Sequence, residues 1–276
     1  MIRVKRFEFE ELTGLRFSII RMNRNIQTVH VFHLGNTLID TGQKKSRKEV
    51  YENVSPLTID KIVLTHHHED HTGNAAYLKR KLHVPVYAHP HACKLLSQGL
   101  NIPPLGVLIT GDVDRVDAIP LFESQVVDTG KYQLKPIFTP GHTEDHYAFY
   151  LKEKGWLFSG DLYVADRIKY FSDFESMKKQ IESLKKLCLL DFEVLLCSHN
   201  PKFKNGKKHL QAKLQDLESF YGVVLNLYAK GYGYQEILHE TGRKENKIYD
   251  FISLGAFNAE NMVKSVLRDE GLPFKP

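Results

Sequence analysis

Thr65-His66-His67-His68-Glu69-Asp70-His71-Thr72-Gly73 decides how the rest of the chain is read. The residues before it, Lys61-Ile62-Val63-Leu64, have the apolar run of a buried strand, and Asn74 to Lys81 reads as the start of a helix. The stretch is therefore a strand-to-helix turn. No regular period there forces alternate side chains apart, so His66, His68, Asp70 and His71 can be aimed at one point. Imidazole and carboxylate donors suit zinc, iron or manganese rather than copper(I). The spacing His-x-His-x-Asp-His is far more specific than a tract that is merely rich in histidine.

Three more candidate ligands stand at the C-terminal ends of predicted strands. His142 follows Phe138-Thr139-Pro140-Gly141, Asp161 follows Leu157-Phe158-Ser159-Gly160, and His199 follows Leu195-Leu196-Cys197-Ser198. Strand ends on one sheet edge make a rigid rim on which ligands from distant segments converge. Gly141 and Gly160 permit sharp turns beside two of them. Seven donors are too many for one tetrahedral ion and suit two ions with open positions.

His66-x-His68-x-Asp70-His71, Thr139-Pro140-Gly141-His142-Thr143, Ser159-Gly160-Asp161 and His199 together resemble the metallo-β-lactamase superfamily of metal-dependent hydrolases. Leu38-Ile39-Asp40-Thr41-Gly42 is similar to the strand that precedes its metal turn. The resemblance spans about Arg3 to Asn205. It implies an α/β (α+β) fold, a four-layer αββα sandwich with the site at one edge. It also implies two divalent ions, zinc in the first instance, with iron or manganese as alternatives. His66, His68 and His142 would hold one; Asp70, His71 and His199 would hold the other; Asp161 and a hydroxide would bridge them. The hydroxide would be the nucleophile, with Asp70 helping to orient it. Paired ions activate a shared water and clamp the attacking and leaving oxygens.

True β-lactamases of the superfamily typically lack the bridging aspartate, and several carry a cysteine ligand. The full His/Asp set is more similar to the glyoxalase II, lactonase and ribonuclease-like branches. Flavodiiron reductases place Glu where this chain has His68. Persulfide dioxygenases keep similar motifs around a single iron and stand as an alternative. Nucleases with a large inserted domain need more sequence between Asp161 and His199. The expected activity is hydrolysis of a small ester, thioester or lactone. A phosphodiesterase or ribonuclease is the runner-up, and a non-catalytic nucleic-acid module on the tail is disfavoured by the intact ligand set.

The bulk composition agrees with an ordinary globular protein: 276 residues, 42% hydrophobic and 26% charged. A net charge of +5 permits an anionic substrate, but a spread of surface lysines explains it more simply. Cys93, Cys188 and Cys197 are few and odd in number, which argues against a disulfide framework and for a reducing compartment. The charged start, Met1-Ile2-Arg3-Val4-Lys5-Arg6, lacks a signal-peptide core, and no run reaches the roughly 18 apolar residues of a membrane span. A cytoplasmic protein with a small-molecule substrate is expected, with no membrane partner, nucleic acid not favoured and a homodimer left open.

The remaining chain supplies the frame. Alternating Phe7, Phe9, Leu15, Phe17 and Ile19 predict strands, with a turn at Thr13-Gly14. Ser46 and Glu49 predict a capping box on a helix to Val54. Gly99 to Pro120 reads as a long loop, and it and the tail are the expected pocket walls. Phe174 to Leu189 reads as an amphipathic helix. After Asn205 the texture becomes helical, with helices expected over Lys208–Lys230, Gln235–Thr241, Glu245–Ser253 and Asn258–Arg268. The domains are placed at 1–205 and 206–276. Tyr163 and Asp166 are candidate substrate contacts because they follow Asp161, Asp40 is a candidate support behind the ligands, and His146, which begins a strand, reads first as core or surface and second as such a support. His67 is expected at the surface or behind the ligands, and Cys197 in the packing.

Overall fold

A computed structural model describes residues 1–21, 23–102, 104–243 and 256–274. Seven strands form the first sheet in chain order: β1 (Ile2–Phe9), β2 (Leu12–Arg21), β3 (Arg24–Leu34), β4 (Thr37–Ile39), β5 (Lys61–Val63), β6 (Val86–Ala88) and β7 (Ile119–Pro120). The first four run antiparallel; from β4 onward the pairing is parallel. Parallel neighbours need crossovers. Helices α1 (Arg47–Val54), α2 (Glu69–Thr72), α3 (Ala75–Leu82), α4 (Pro90–Gln98) and α5 (Pro104–Ile109) lie on those connections.

The second sheet contains β8 (Val127–Asp128), β9 (Gln133–Phe138), β10 (Tyr147–Leu151), β11 (Trp156–Gly160) and, after a short β12 (Phe171–Ser172), β13 (Val194–Cys197). Its order is β13-β11-β10-β9-β8, and the parallel pair β11–β13 is joined through helix α6 (Met177–Cys188). Helices α7 (Gly206–Ala229), α8 (Tyr234–Glu240) and α9 (Glu260–Asp269) follow, with β14 (Phe257–Asn258) pairing back onto β12.

Three apolar clusters make the layers. Leu12, Phe32, Val63, Phe149, Trp156 and Phe158 fill the space between the sheets. Leu15, Val31, Val50, Ile62, Leu78 and Leu96 join the first sheet to its outer helices. Ile137, Leu157, Leu184, Leu217, Ile237 and Val266 join the second sheet to α6 through α9. The result is the expected αββα sandwich with added C-terminal helices. The last cluster runs from sheet to tail, so the change of texture at Asn205 is not a gap in apolar packing.

Several expectations give way to packing. Thr13-Gly14 lies inside β2; the turn is at Glu10-Glu11, and Gly14 is small because the Phe7 ring covers it, a Cβ there lying 2.0 Å from Phe7 Cζ. Ser46 does not cap α1. Its hydroxyl turns back to the Gln43 carbonyl at 2.9 Å, because a 3₁₀ turn over Lys44–Ser46 runs straight into the helix. Gly99 to Pro120 is not one loop, since it contains α5 and ends in β7. Helix α6 starts at Met177 with Ser176 as its cap, and Phe174 is left exposed before it. The helix expected over Glu245–Ser253 lies outside the described residues.

Candidate metal centre

The parallel half of the first sheet and the end of the second sheet meet at one rim. β5 ends just before His66; His66 and His68 sit on the turn, and Asp70 and His71 fall on α2. His142 follows β9, Asp161 follows β11 and His199 follows β13. Two backbone positions there exclude a side chain: a Cβ on Gly141 (φ +131°) would lie 2.4 Å from the Gln180 nitrogen, and one on Gly160 (φ +47°) 2.6 Å from His146 Nε2.

All seven expected ligands converge. Donor atoms of His66, His68 and His142 lie within 4.8 Å of one another, as do those of Asp70, His71 and His199. Asp161 lies between the two groups: its Oδ2 is 3.0 Å from His199 Nε2 and 3.8 Å from His142 Nε2, and its Oδ1 is 3.4 Å from His71 Nε2. His68 turns its Nδ1 toward His142 Nε2 at 3.1 Å, whereas the rings of His71, His66 and His199 point their far nitrogens inward because the near ones are held from behind. His71 Nδ1 pairs with Asp40 Oδ2 at 2.8 Å, His66 Nδ1 with Thr65 Oγ1 at 3.0 Å, and His199 Nδ1 with the Thr28 carbonyl at 2.5 Å. Asp40 also accepts from the Thr65 amide and hydroxyl.

Three inward atoms, His66 Nε2, His71 Nε2 and Asp161 Oδ1, are buried with no hydrogen-bond partner. Orphaned polar atoms of this kind are costly unless something completes them. A cation fits that need, and the donor set of imidazole and carboxylate without thiolate suits zinc, iron or manganese. Cys197 is in none of these converging donor groups: it is buried, and its sulfur accepts from the Asn200 amide.

The charges follow the geometry. Burial, then the facing His71, holds His66 well below the ordinary imidazole range, and burial with His142 does the same to His68. Burial also opposes charge on His199, but the Asp161 carboxylate outweighs it and its pKa rises to about 9. His146 is fully buried and its pKa falls to about 3, by burial and then by His142. It is therefore neutral. Its Nε2 accepts the Asp161 amide at 3.2 Å, so its proton is on Nδ1, donated to Thr139 Oγ1 at 2.8 Å.

Other candidates are placed differently from their sequence reading. Tyr163 is 1% exposed in the second-sheet core, and its hydroxyl donates to Asp166 at 2.6 Å. Asp166 is turned to Tyr163 and His209, so neither side chain joins the cluster, because both are engaged by packing and α7. His67, expected at the surface or behind the ligands, is partly exposed, and its Nδ1 pairs at 2.8 Å with Asp145, which is fully buried. A cavity of about 270 Å³ beside His142 is lined by His67, Gly141, Thr143, Phe174 and Lys179 and, among the described residues, by none of the 99–120 segment or the C-terminal helices. The 99–120 segment instead packs on α2, where Thr110 Oγ1 donates to Glu69 at 3.4 Å. Gln27 and Glu175 also reach ligands, at Asp70 Oδ2 (2.8 Å) and His142 Nδ1 (3.1 Å). No spacing rule singles them out, because they come from distant segments.

A family model described as the metallo-beta-lactamase superfamily matches residues 33–199. The chain belongs to the metallo-beta-lactamase superfamily. Within the superfamily it is 32% identical over 108 residues to a hydroxyacylglutathione hydrolase of Legionella pneumophila, covering 38% of this chain and 34% of that protein. It is 29% identical over 126 residues to the probable metallo-hydrolase YqgX of Bacillus subtilis, covering 45% and 59%. It is 23% identical over 181 residues to the atrochrysone carboxyl ACP thioesterase of Aspergillus fumigatus, covering 64% and 51%. The chain thus spans about a third to six tenths of these relatives' own lengths. A metallo-beta-lactamase family protein from Thermus thermophilus has the same fold, with a TM-score of 0.69, 20% identity and 95% of each chain covered. No helix among the described residues is long and apolar enough to cross a membrane.

Proposed function

We propose that the protein is a dinuclear metal-dependent hydrolase of small esters, thioesters or lactones, with a thioester the first choice. The observation that carries the reading is the set of buried inward atoms on His66, His71 and Asp161 that make no hydrogen bond at the centre of a seven-residue rim. Similarity to a thioesterase and to hydroxyacylglutathione hydrolases supports the carbonyl substrate. In this reading His66, His68 and His142 hold one divalent ion, Asp70, His71 and His199 hold the second, and Asp161 is shared. Bound there, two ions would polarise a carbonyl and lower the pKa of a shared water.

The chain's own residues do the rest. Gln27 donates to Asp70 Oδ2 and sets the face that Asp70 turns to the centre. Asp40 and Thr28 hold His71 and His199 with their outer nitrogens engaged, which leaves the inner ones as donors to a cation. The cavity beside His142 supplies room for part of the substrate, with the Phe174 ring 5.8 Å from that of His68.

The test pairs the wild type with Asp161→Ala. Metal content is measured on both, and turnover on an aryl ester, a thioester, a lactone, a β-lactam and a bis-aryl phosphodiester. The expected result is two ions per wild-type chain, thioester turnover, and loss of at least one ion and of ~100-fold or more in rate in the variant. Equal activity in the two proteins would overturn the shared role of Asp161. Turnover of the phosphodiester alone would replace the carbonyl reading with a nuclease.

A further inference from the structure

Helix α7 buries Leu210, Lys213, Leu217, Phe220 and Val224 along one stripe. The spacing is that of a core-facing helix, yet one of the five is a lysine. Lys213 is 2% exposed, and an ammonium is rarely taken that deep without a reason. Its Nζ donates to the Leu162 carbonyl at 2.6 Å and to Gln180 Oε1 at 3.0 Å. Gln180 is itself 1% exposed, and its Nε2 donates to Glu175 Oε2 at 2.7 Å. That same Glu175 oxygen faces His142 Nδ1 at 3.1 Å, while the other accepts the Ser172 amide at 2.8 Å.

These contacts form one line from α7 to the rim. The lysine fixes which way the Gln180 amide points, oxygen toward Nζ and nitrogen toward Glu175. The glutamate is then held by a backbone amide and a side-chain amide, with its remaining capacity directed at His142. A neutral imidazole that gives its Nδ1 proton to a carboxylate offers Nε2 as a lone pair on the other side, the form a cation needs. His142 Nε2 is the atom that faces His68 and Asp161. A second tie comes from α9: the Glu175 carbonyl accepts from Ser265 Oγ at 2.8 Å and from Arg268 Nη2 at 2.6 Å. Asp40 does for His71 what Glu175 does for His142, but Asp40 belongs to the sandwich, whereas Glu175 is also tied to the C-terminal helices, through Gln180 to Lys213 and through its own carbonyl to Ser265 and Arg268.

We infer that Glu175, oriented through Gln180 by the buried Lys213, is a positioning residue for the metal held at His142, and that the C-terminal helices serve as the outer support of that position. The inference rests on the metal reading of His66, His68 and His142 given above. It assigns the tail a task at the centre without requiring it to touch substrate.

The experiment uses the full chain stripped with a chelator. Zinc is titrated back against a chromophoric competitor, the visible spectrum of the cobalt-loaded form is recorded, and far-UV circular dichroism reports whether each metal-free variant is folded. The variants are Glu175→Gln, Lys213→Met and His142→Ala. Glu175→Gln is expected to weaken one zinc equivalent by about 10–100-fold and leave the other unchanged. Its cobalt spectrum should change in the bands that His142→Ala removes. Lys213→Met should weaken the same equivalent, by a smaller factor, and it carries the test if Glu175→Gln does not fold. A merely structural role would lower the unfolding temperature of the metal-free protein and leave both affinities intact once it is folded. Wild-type affinities in every folded variant of the pair, with one equivalent lost in His142→Ala, would overturn this inference alone. Retention of both equivalents by His142→Ala would overturn the metal reading and this inference with it.

Discussion

At the scale of single residues, the candidate ligand set was legible and its supports were mostly not. His66, His68, Asp70 and His71 announce themselves by spacing, and His142, Asp161 and His199 by their place after strands. Besides His146, which accepts the Asp161 amide, Asp40 is the support that sequence could suggest, because it closes the strand before the metal turn. It adopts φ +60°, a conformation that Asn and Asp tolerate better than other non-glycine residues. Asp40→Asn should therefore keep the backbone while removing the anionic acceptor for Thr65 and His71. The expected result is zinc binding weaker by about 10–100-fold at the His71 position, read by competitive titration. Asp40→Ala should add roughly 1 kcal/mol of instability relative to Asp40→Asn, because alanine tolerates that backbone less well. Equal zinc affinities in Asp40→Asn and wild type would contradict the orienting role. Tyr163 shows the opposite lesson: closeness in sequence to Asp161 says nothing about direction, and its ring is directed into the core.

At the scale of elements, the rim is assembled by strand ends and by two connections, of which sequence reading marked the turn at Gly141 and passed over the β2–β3 hairpin. The β2–β3 hairpin carries Gln27 to Asp70 and the Thr28 carbonyl to His199, so it holds the second ligand group from outside the sandwich core. The turn after β9 presses onto the start of α6: the Gly141 carbonyl accepts the Ser176 amide at 2.9 Å, and no side chain fits at 141. Gly141→Ala should thus push apart the turn that bears His142 and the helix that bears Gln180. Its metal-free form should lose about 1–3 kcal/mol in chemical denaturation, more than a surface glycine change would produce. An unchanged denaturation midpoint would show that the turn can yield. The capping expectation at Ser46 failed for a reason on the same scale, since the 3₁₀ turn ahead of α1 takes up the hydroxyl.

For the molecule as a whole, the C-terminal helices and the sandwich share one apolar cluster, and Lys213 is the polar exception on the buried stripe of α7 that joins them. Burial lowers its pKa from 10.5 to about 8. Below pH 8 both folded and unfolded chains carry the proton and the folded state bears the full penalty. Between pH 8 and 10.5 the folded chain releases the proton first, so stability is regained as pH rises. The metal-free wild type should gain up to about 3 kcal/mol relative to Lys213→Met between about pH 7 and 10, read from paired denaturation curves. A constant difference between the two proteins across that range would mean that Lys213 does not titrate there. Sequence alone determined which residues are the candidate ligands, by their spacing, and most of the strand-and-helix order, by the period of apolar side chains, while the αββα class followed from the resemblance that those motifs carry. Only the tertiary structure decided that Glu175 stands behind His142, that Gln27 reaches Asp70, that Tyr163 belongs to the core, and that Lys213 on the tail is tied through Gln180 to the rim. Those contacts join segments far apart in the chain, and no local pattern of charge or hydrophobicity encodes which distant partner a buried polar group will meet.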